Sequence, residues 1–229
     1  MLNFLFFIFI ISSFSNGIEN TSWIRVDNGI YELRIYSDKY FAISKYNLDS
    51  KEFISTMGGS YSLEDGYYEV LEFNSIDSST VGDTIFYSNI KIKMKNDSGN
   101  MKIDGKEFSK NIDKNQLSGS WLMSGIERRG EMRMRDVNRP RKTLKMLAGG
   151  RFQWIAYDTS KKGFYGTGGG TFSAVDGKYV ENIEFFSRDS NTVGKSLEFD
   201  FEIKEGDWHH RGFSSKGDPK YEIWTQRKQ

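Results

Sequence analysis

The feature that most constrains this chain is that much of it is written twice. Thr56-Met57-Gly58-Gly59-Ser60-Tyr61-Ser62 is matched by Thr167-Gly168-Gly169-Gly170-Thr171-Phe172-Ser173, and Asp65-Gly66 by Asp176-Gly177. Phe41, Tyr46, Asn47 and Phe53 match Phe152, Tyr157, Asp158 and Phe164 at the same separation of 111 residues. After a one-residue slip, Glu72-Phe73 matches Glu184-Phe185, and Thr80-Val81-Gly82 matches Thr192-Val193-Gly194. Self-similarity of this extent means two supersecondary units of one kind, and each copy has the size of a small domain. The expected division is residues 1–17 as a leader, 18–116 as a first unit and 117–229 as a second.

Each copy alternates apolar and polar residues over short runs broken by turn chemistry. In the second copy the runs open at Trp121 and continue at 143–147, 151–157, 163–173, 178–187, 196–204, 208–213 and 221–227, with Gly149-Gly150, Asp176-Gly177 and Glu205-Gly206-Asp207 between them. Those make about eight consecutive strands with hairpin-length links and no helical period. An antiparallel meander of this kind closes into a barrel, which leaves no exposed edge. The first copy follows the same plan to about residue 95, and its polar stretch 105–115 reads as a degenerate closing strand plus linker. The expected fold class is therefore all-β: two tandem antiparallel meander units, each an eight-stranded barrel type, the second complete and the first degenerate.

Leu197-Glu198-Phe199-Asp200-Phe201-Glu202-Ile203 carries one wholly apolar and one wholly acidic face. In an outer-membrane barrel those acids would crowd a narrow lumen at a large desolvation cost, so a soluble barrel with its acids in water is expected. Lys plus Arg (32) nearly balances Asp plus Glu (31), and no global field argues for a nucleic-acid partner. Residues 2–11 are almost unbroken apolar sequence, followed by Ser13-Phe14-Ser15. That run is short for a membrane span and reads as a secretory signal peptide. The mature chain is then periplasmic or extracellular with no membrane span; the alternative is a retained N-terminal anchor. There is no cysteine, so the core must hold an exported fold without disulfides.

Gly119-Ser120-Trp121 at the start of the first strand of copy two, with Arg227 at the end of its last, resembles the calycin pattern of lipocalins and their bacterial lipocalin-like relatives. The resemblance implies that Gly119, Trp121 and Arg227 form a plug at the closed end, the Arg lying over the Trp ring. Copy one keeps Trp23 but has Thr21 where the Gly would stand. The resemblance also implies a barrel mouth that holds a small apolar or amphipathic ligand, with Trp154, Phe172, Phe185 and Phe199 around it. The competing reading is that these aromatics fill the interior.

Copy two differs from copy one most between its first two strands, where Arg128, Arg129, Arg133, Arg135, Arg139, Arg141, Lys142 and Lys145 cluster. In lipocalins the loop at this place covers the mouth, so Arg133 and Arg135 are expected on a basic lid, where clustered Arg selects carboxylate or phosphate. The alternative is a strand extension with Met132 and Met134 alternating against the arginines. His209 and His210 are the only histidines and point to opposite faces of a strand; an exposed hairpin rim is expected, with no metal and no cofactor. The glycine run 166–170 lacks a following helix and a Lys-Ser/Thr, so it serves a strand bend rather than a phosphate. No nucleophile–base pair is evident, and no enzyme is expected. The sequence thus leads to an exported, non-catalytic binding protein with a small lipophilic ligand, or alternatively to an interaction module of the cell envelope with filled barrels and a protein partner.

Overall fold

The computed structural model describes residues 18–95, 98–111 and 115–228; the expected signal peptide lies outside them. The first unit contains β1 (Thr21–Asp27), β2 (Ile30–Ser37), β3 (Tyr40–Asn47), β4 (Glu52–Ser62), β5 (Tyr67–Asn74), β6 (Thr84–Tyr87), β7 (Ile90–Lys95), β8 (Ser98–Ile103) and β9 (Lys106–Asn111). The second contains β10 (Gly119–Arg128), β11 (Glu131–Met134), β12 (Arg141–Ala148), β13 (Arg151–Asp158), β14 (Gly163–Val175), β15 (Lys178–Phe186), β16 (Ser196–Lys204), β17 (Asp207–Phe213) and β18 (Pro219–Gln226). The protein is all-β, two barrel-like antiparallel units in tandem.

The second sheet runs β10-β12 through β18 and returns through a β10–β18 pairing, so eight strands close. β11 is a flap that folds back on the far end of β10, which makes residues 131–134 the strand extension rather than a free lid. The first sheet has the order β6-β5-β4-β3-β2-β1-β9-β8-β7. The polar stretch 106–111 does supply a strand, paired with β1, while β6 and β7 remain at the two edges. The links behave as their chemistry demands. Asn28-Gly29 and Asp176-Gly177, for example, hold both residues at positive φ, the geometry of a two-residue turn that matches strand twist.

The acids of β16 do face water: the side chains of Glu198 and Asp200 are exposed and both pair with Lys178. Elsewhere the outer face is not all polar, because the two barrels pack against each other through their outer walls. On β12, Leu144, Met146 and Ala148 join an inter-barrel cluster with Leu33 and Ile35 of β2, while Leu147 faces the interior of its own barrel. These strands are apolar on both faces because both faces are covered.

The contact is two-fold symmetric in kind. Phe53 stacks on its repeat equivalent Phe164, centroids 6.3 Å apart. Tyr46 stacks on Phe185 at 4.8 Å, and its equivalent Tyr157 meets Phe73, the equivalent of Phe185, at 5.0 Å. The Tyr46 hydroxyl donates to Glu184 and the Tyr157 hydroxyl to Glu72, each at 2.5 Å. Reciprocal contacts of this form are the mark of an isologous interface, here built inside one chain.

The repeated glycines explain how the interface rings are aimed. At Gly58/Gly59 and Gly169/Gly170 the register slips by one residue, leaving Glu72 and Glu184 as the extra residues of two β-bulges. A Cβ on Gly59 would lie 1.9 Å from the Val70 carbonyl oxygen, and one on Gly170 2.0 Å from that of Asn182. Only glycine fits so close an approach. The bulge reverses the alternation of β15, so Ile183 points into the barrel, Phe185 out to the interface and Phe186 in again.

Candidate functional site

The second barrel encloses a cavity of about 400 Å³. Its walls are Met123 and Ile126 of β10, Trp154 of β13, Ile183 and Phe186 of β15, and Leu197 and Phe199 of β16. Its mouth is ringed by Arg128, Arg135, Arg141 and Arg188. Among the described residues none of these four forms an ion pair. Arg141 lies 3.5 Å over the Tyr165 ring, and Arg188 is held by the Tyr165 carbonyl and lies near Trp154. Burial pushes the pKa of Arg135 down, Glu222 opposes this, and the neighbouring Arg128 and Arg141 add to it. The mouth is thus a crowded set of cations short of an anion.

The inner end of the cavity is charged as well. Lys145, fully inside the barrel, donates to Glu181 at 2.7 Å and sits 4.8–5.2 Å from the faces of Trp224, Trp208 and Tyr179. Glu222 accepts from Lys220 at 3.1 Å and lies 3.3 Å from His210 Nδ1. Burial alone would raise both carboxyls; Lys145 holds Glu181 below its ordinary value, and Lys220 with His210 holds Glu222 well below its own. A buried pair costs desolvation that only close partners offset, and here each charge has its partner.

His210 is not on an exposed rim. It is buried against Phe199, ring centroids 3.9 Å apart, while His209 points outward to Tyr221. The two faces were legible; the burial was not, because it is closure of the barrel that encloses the face of β17 carrying His210, against Tyr179, Phe199 and Trp208. Burial and then Lys145 push the His210 imidazole down to about 4, with Glu222 opposing, from an ordinary 6.5. It is neutral at pH 7. In the unfolded chain it takes its proton near pH 6.5, so its stabilisation is complete above that value and is lost as pH falls towards 4. The loss by pH 4.5 is about 2–3 kcal/mol. Urea unfolding at pH 7 and pH 4.5 should therefore show a larger loss for the wild type than for His210→Gln; equal losses would exclude His210 as the titrating group.

Of the residues expected at a ligand, Arg135, Trp154 and Phe199 line the cavity. Arg133 is exposed on β11 and does not. Phe172 packs on Tyr179 in the core beside the cavity rather than on its wall. Phe185 lies outside the barrel, in the inter-barrel cluster, because the bulge at Glu184 inverts its parity; its neighbour Phe186 takes the wall.

The expected plug is also rearranged. Trp121 is buried, with Gly119 against its indole, and donates from Nε1 to the Leu117 carbonyl at 2.9 Å. Arg227 does not cover it. Gln226 is the residue opposite Trp121, so Arg227, one step on, points to the other face. There it lies 3.6 Å over Tyr40 and pairs with Glu72 at 2.5 Å, joining the two units. The cation among the barrel's aromatics is Lys145, rather than an arginine, and it lies inside the barrel and not on the basic lid expected from its charge. Its position mid-strand, with apolar residues on both sides, was the available signal. Among the described residues no cluster of His, Asp or Glu could hold a metal, and no helix is long and apolar enough to cross a membrane.

Fold and site together define a tandem β-barrel protein whose second barrel holds an apolar cavity with a cationic mouth. Residues 116–229 match the family described as "Domain of unknown function (DUF4488)"; the match spans the second unit, and the first unit lies outside it. Comparison with curated proteins gives no match. Among solved structures, a DNA polymerase III subunit beta sliding clamp from Bartonella birtlesii LL-WM9 aligns over 93% of this chain and 78% of that one, at 8% identity and a TM-score of 0.14. Similarity that low carries no argument.

Proposed function

We propose that the second barrel is a non-catalytic binding site for an amphipathic anion, with the apolar body in the barrel and the head group on the arginines of the mouth. The observation that carries this is the set of four arginines, none of them in an ion pair among the described residues, at the mouth of a cavity whose walls are largely apolar above a charged floor. Arg forks match carboxylate or phosphate, and mouths of small barrels are wide enough for one ligand. Kinship with lipocalin-like proteins, suggested by the Gly-x-Trp opening, agrees with this use of the barrel, and the apolar stretch 2–11 supports export of the chain.

Titration with oleate and with oleyl alcohol, followed by Trp fluorescence, tests the reading. Arg128→Ala/Arg135→Ala should weaken oleate by about 10- to 100-fold, since each charge-assisted contact is worth about 1.5 kcal/mol. Oleyl alcohol should be nearly unaffected. If neither ligand binds the wild type, the interaction-module reading takes over. That second reading has its own support in the unpaired edge of β6, where Phe86 is exposed, since open edges accept added strands.

A further inference from the structure

The first barrel has a cavity of its own, about 370 Å³, at the position in the repeat that the cavity of the second barrel occupies. Repeat-equivalent positions line both: Arg34 stands for Lys145, Ile43 for Trp154, Lys45 for Ala156, Asn74 for Phe186, Ile76 for Arg188 and Tyr87 for Phe199. The buried ion pair is duplicated too. Arg34 meets Glu69 at 3.1 Å, as Lys145 meets Glu181, and Tyr87 donates to Glu69 at 2.9 Å. The site has been kept while its chemistry has changed.

The change excludes the ligand proposed for the second barrel. Ile76 stands where the second barrel has Arg188, one of its four mouth arginines, and Lys45 and Lys106 both face the buried carboxylate of Glu32 at 3.8 Å. Arg34 approaches the same carboxylate at 3.5 Å. An incoming anion would compete with Glu32 for cations already held. An apolar ligand would cover Glu32 and the unpartnered, buried Nε of Arg34 without hydrogen bonds, which is costly. A neutral molecule with several hydroxyls suits both needs. Hydroxyls donate to a carboxylate and accept from Arg or Lys, and the carbon–hydrogen faces of a sugar ring can rest on Ile43, Met57 and Ile103, which are also in the lining. We infer that the first barrel is a second binding site, selective for a small neutral polyhydroxylated ligand of the saccharide class and independent of the amphiphile site.

The test is methyl NMR on the full chain labelled at Ile and Met, titrated separately with glucose, N-acetylglucosamine, maltose and oleate. At least one sugar should shift Ile43, Met57 and Ile103 saturably below about 50 mM, a range in which a weak millimolar site is visible. Glu32→Gln should weaken that sugar by about tenfold, the value of one charge-assisted hydrogen bond. Lys106→Ala, on a half-exposed side chain, should weaken it as well, and Arg128→Ala/Arg135→Ala should leave it unchanged. No saturable shift with any of the three sugars overturns the proposal. So do sugar shifts confined to Ile126 and Ile183. Oleate shifts at Ile126 and Ile183 report on the second barrel separately, so either site can fail alone.

Discussion

Lys145→Met is expected to lower the stability of the protein at pH 7 by about 3–5 kcal/mol, because it leaves the buried carboxylate of Glu181 without its cation. Lys145 Nζ is 2.7 Å from Glu181 and both side chains are almost wholly enclosed. The same substitution removes a cation from between the rings of Tyr179, Trp208 and Trp224. Adding Glu181→Gln should recover a large part of the loss, since the uncompensated charge rather than the missing contact dominates. Urea unfolding of the two single variants and the double variant measures this directly. A loss below about 1 kcal/mol for Lys145→Met would mean that the pair behaves as a surface salt bridge and that water reaches the floor of the cavity.

The second large effect is at the inter-barrel wall. Phe185→Ala should cost about 3–5 kcal/mol, the usual range for truncating a buried ring. Phe185 is fully buried, stacked on Tyr46 at 4.8 Å and near Phe53 at 6.2 Å. Its pseudo-symmetric partner predicts the companion result: Phe73→Ala should lose a similar amount, since Phe73 stands against Tyr157 as Phe185 stands against Tyr46. Oleate binding by Phe185→Ala, measured under folding conditions, should stay near the wild type because the ring is outside the cavity. Phe186→Ala should show the reverse, with a smaller stability loss and weaker oleate binding. If Phe185→Ala alone abolished binding, the assignment of faces on β15 would be wrong.

Both effects show why a site can be hidden while its fold is plain. Turn residues and alternation placed the eight strands of the second unit close to their observed bounds, because period-two patterning and hairpin chemistry are local. The same alternation showed that His209 and His210 point apart and that the acids of β16 share one face. It did not show that His210 is buried, or that Arg227 looks away from Trp121. Phe185 illustrates the cause: it is one residue from the cavity wall in sequence, and a single bulge sends it through the sheet to the opposite side. Lys145 illustrates another. Its charge placed it with the arginines of the insertion, yet its strand neighbours Leu144 and Met146 face the other barrel, which leaves it the interior.

By itself, then, the sequence determined the all-β class, the two tandem units, the strand order and the glycine bends, since each follows from contacts between near neighbours or from the repeat. Only the tertiary structure decided which face of each strand is inside. Period two defines two faces without saying what covers them, and here the outer face of one barrel is covered by the other. It also decided where parity inverts, because the bulges at Glu72 and Glu184 depend on pairing between strands. With those two facts settled, the arginines of the mouth, the buried Lys145–Glu181 pair and its duplicate at Arg34–Glu69 fall into place around two cavities of different chemistry.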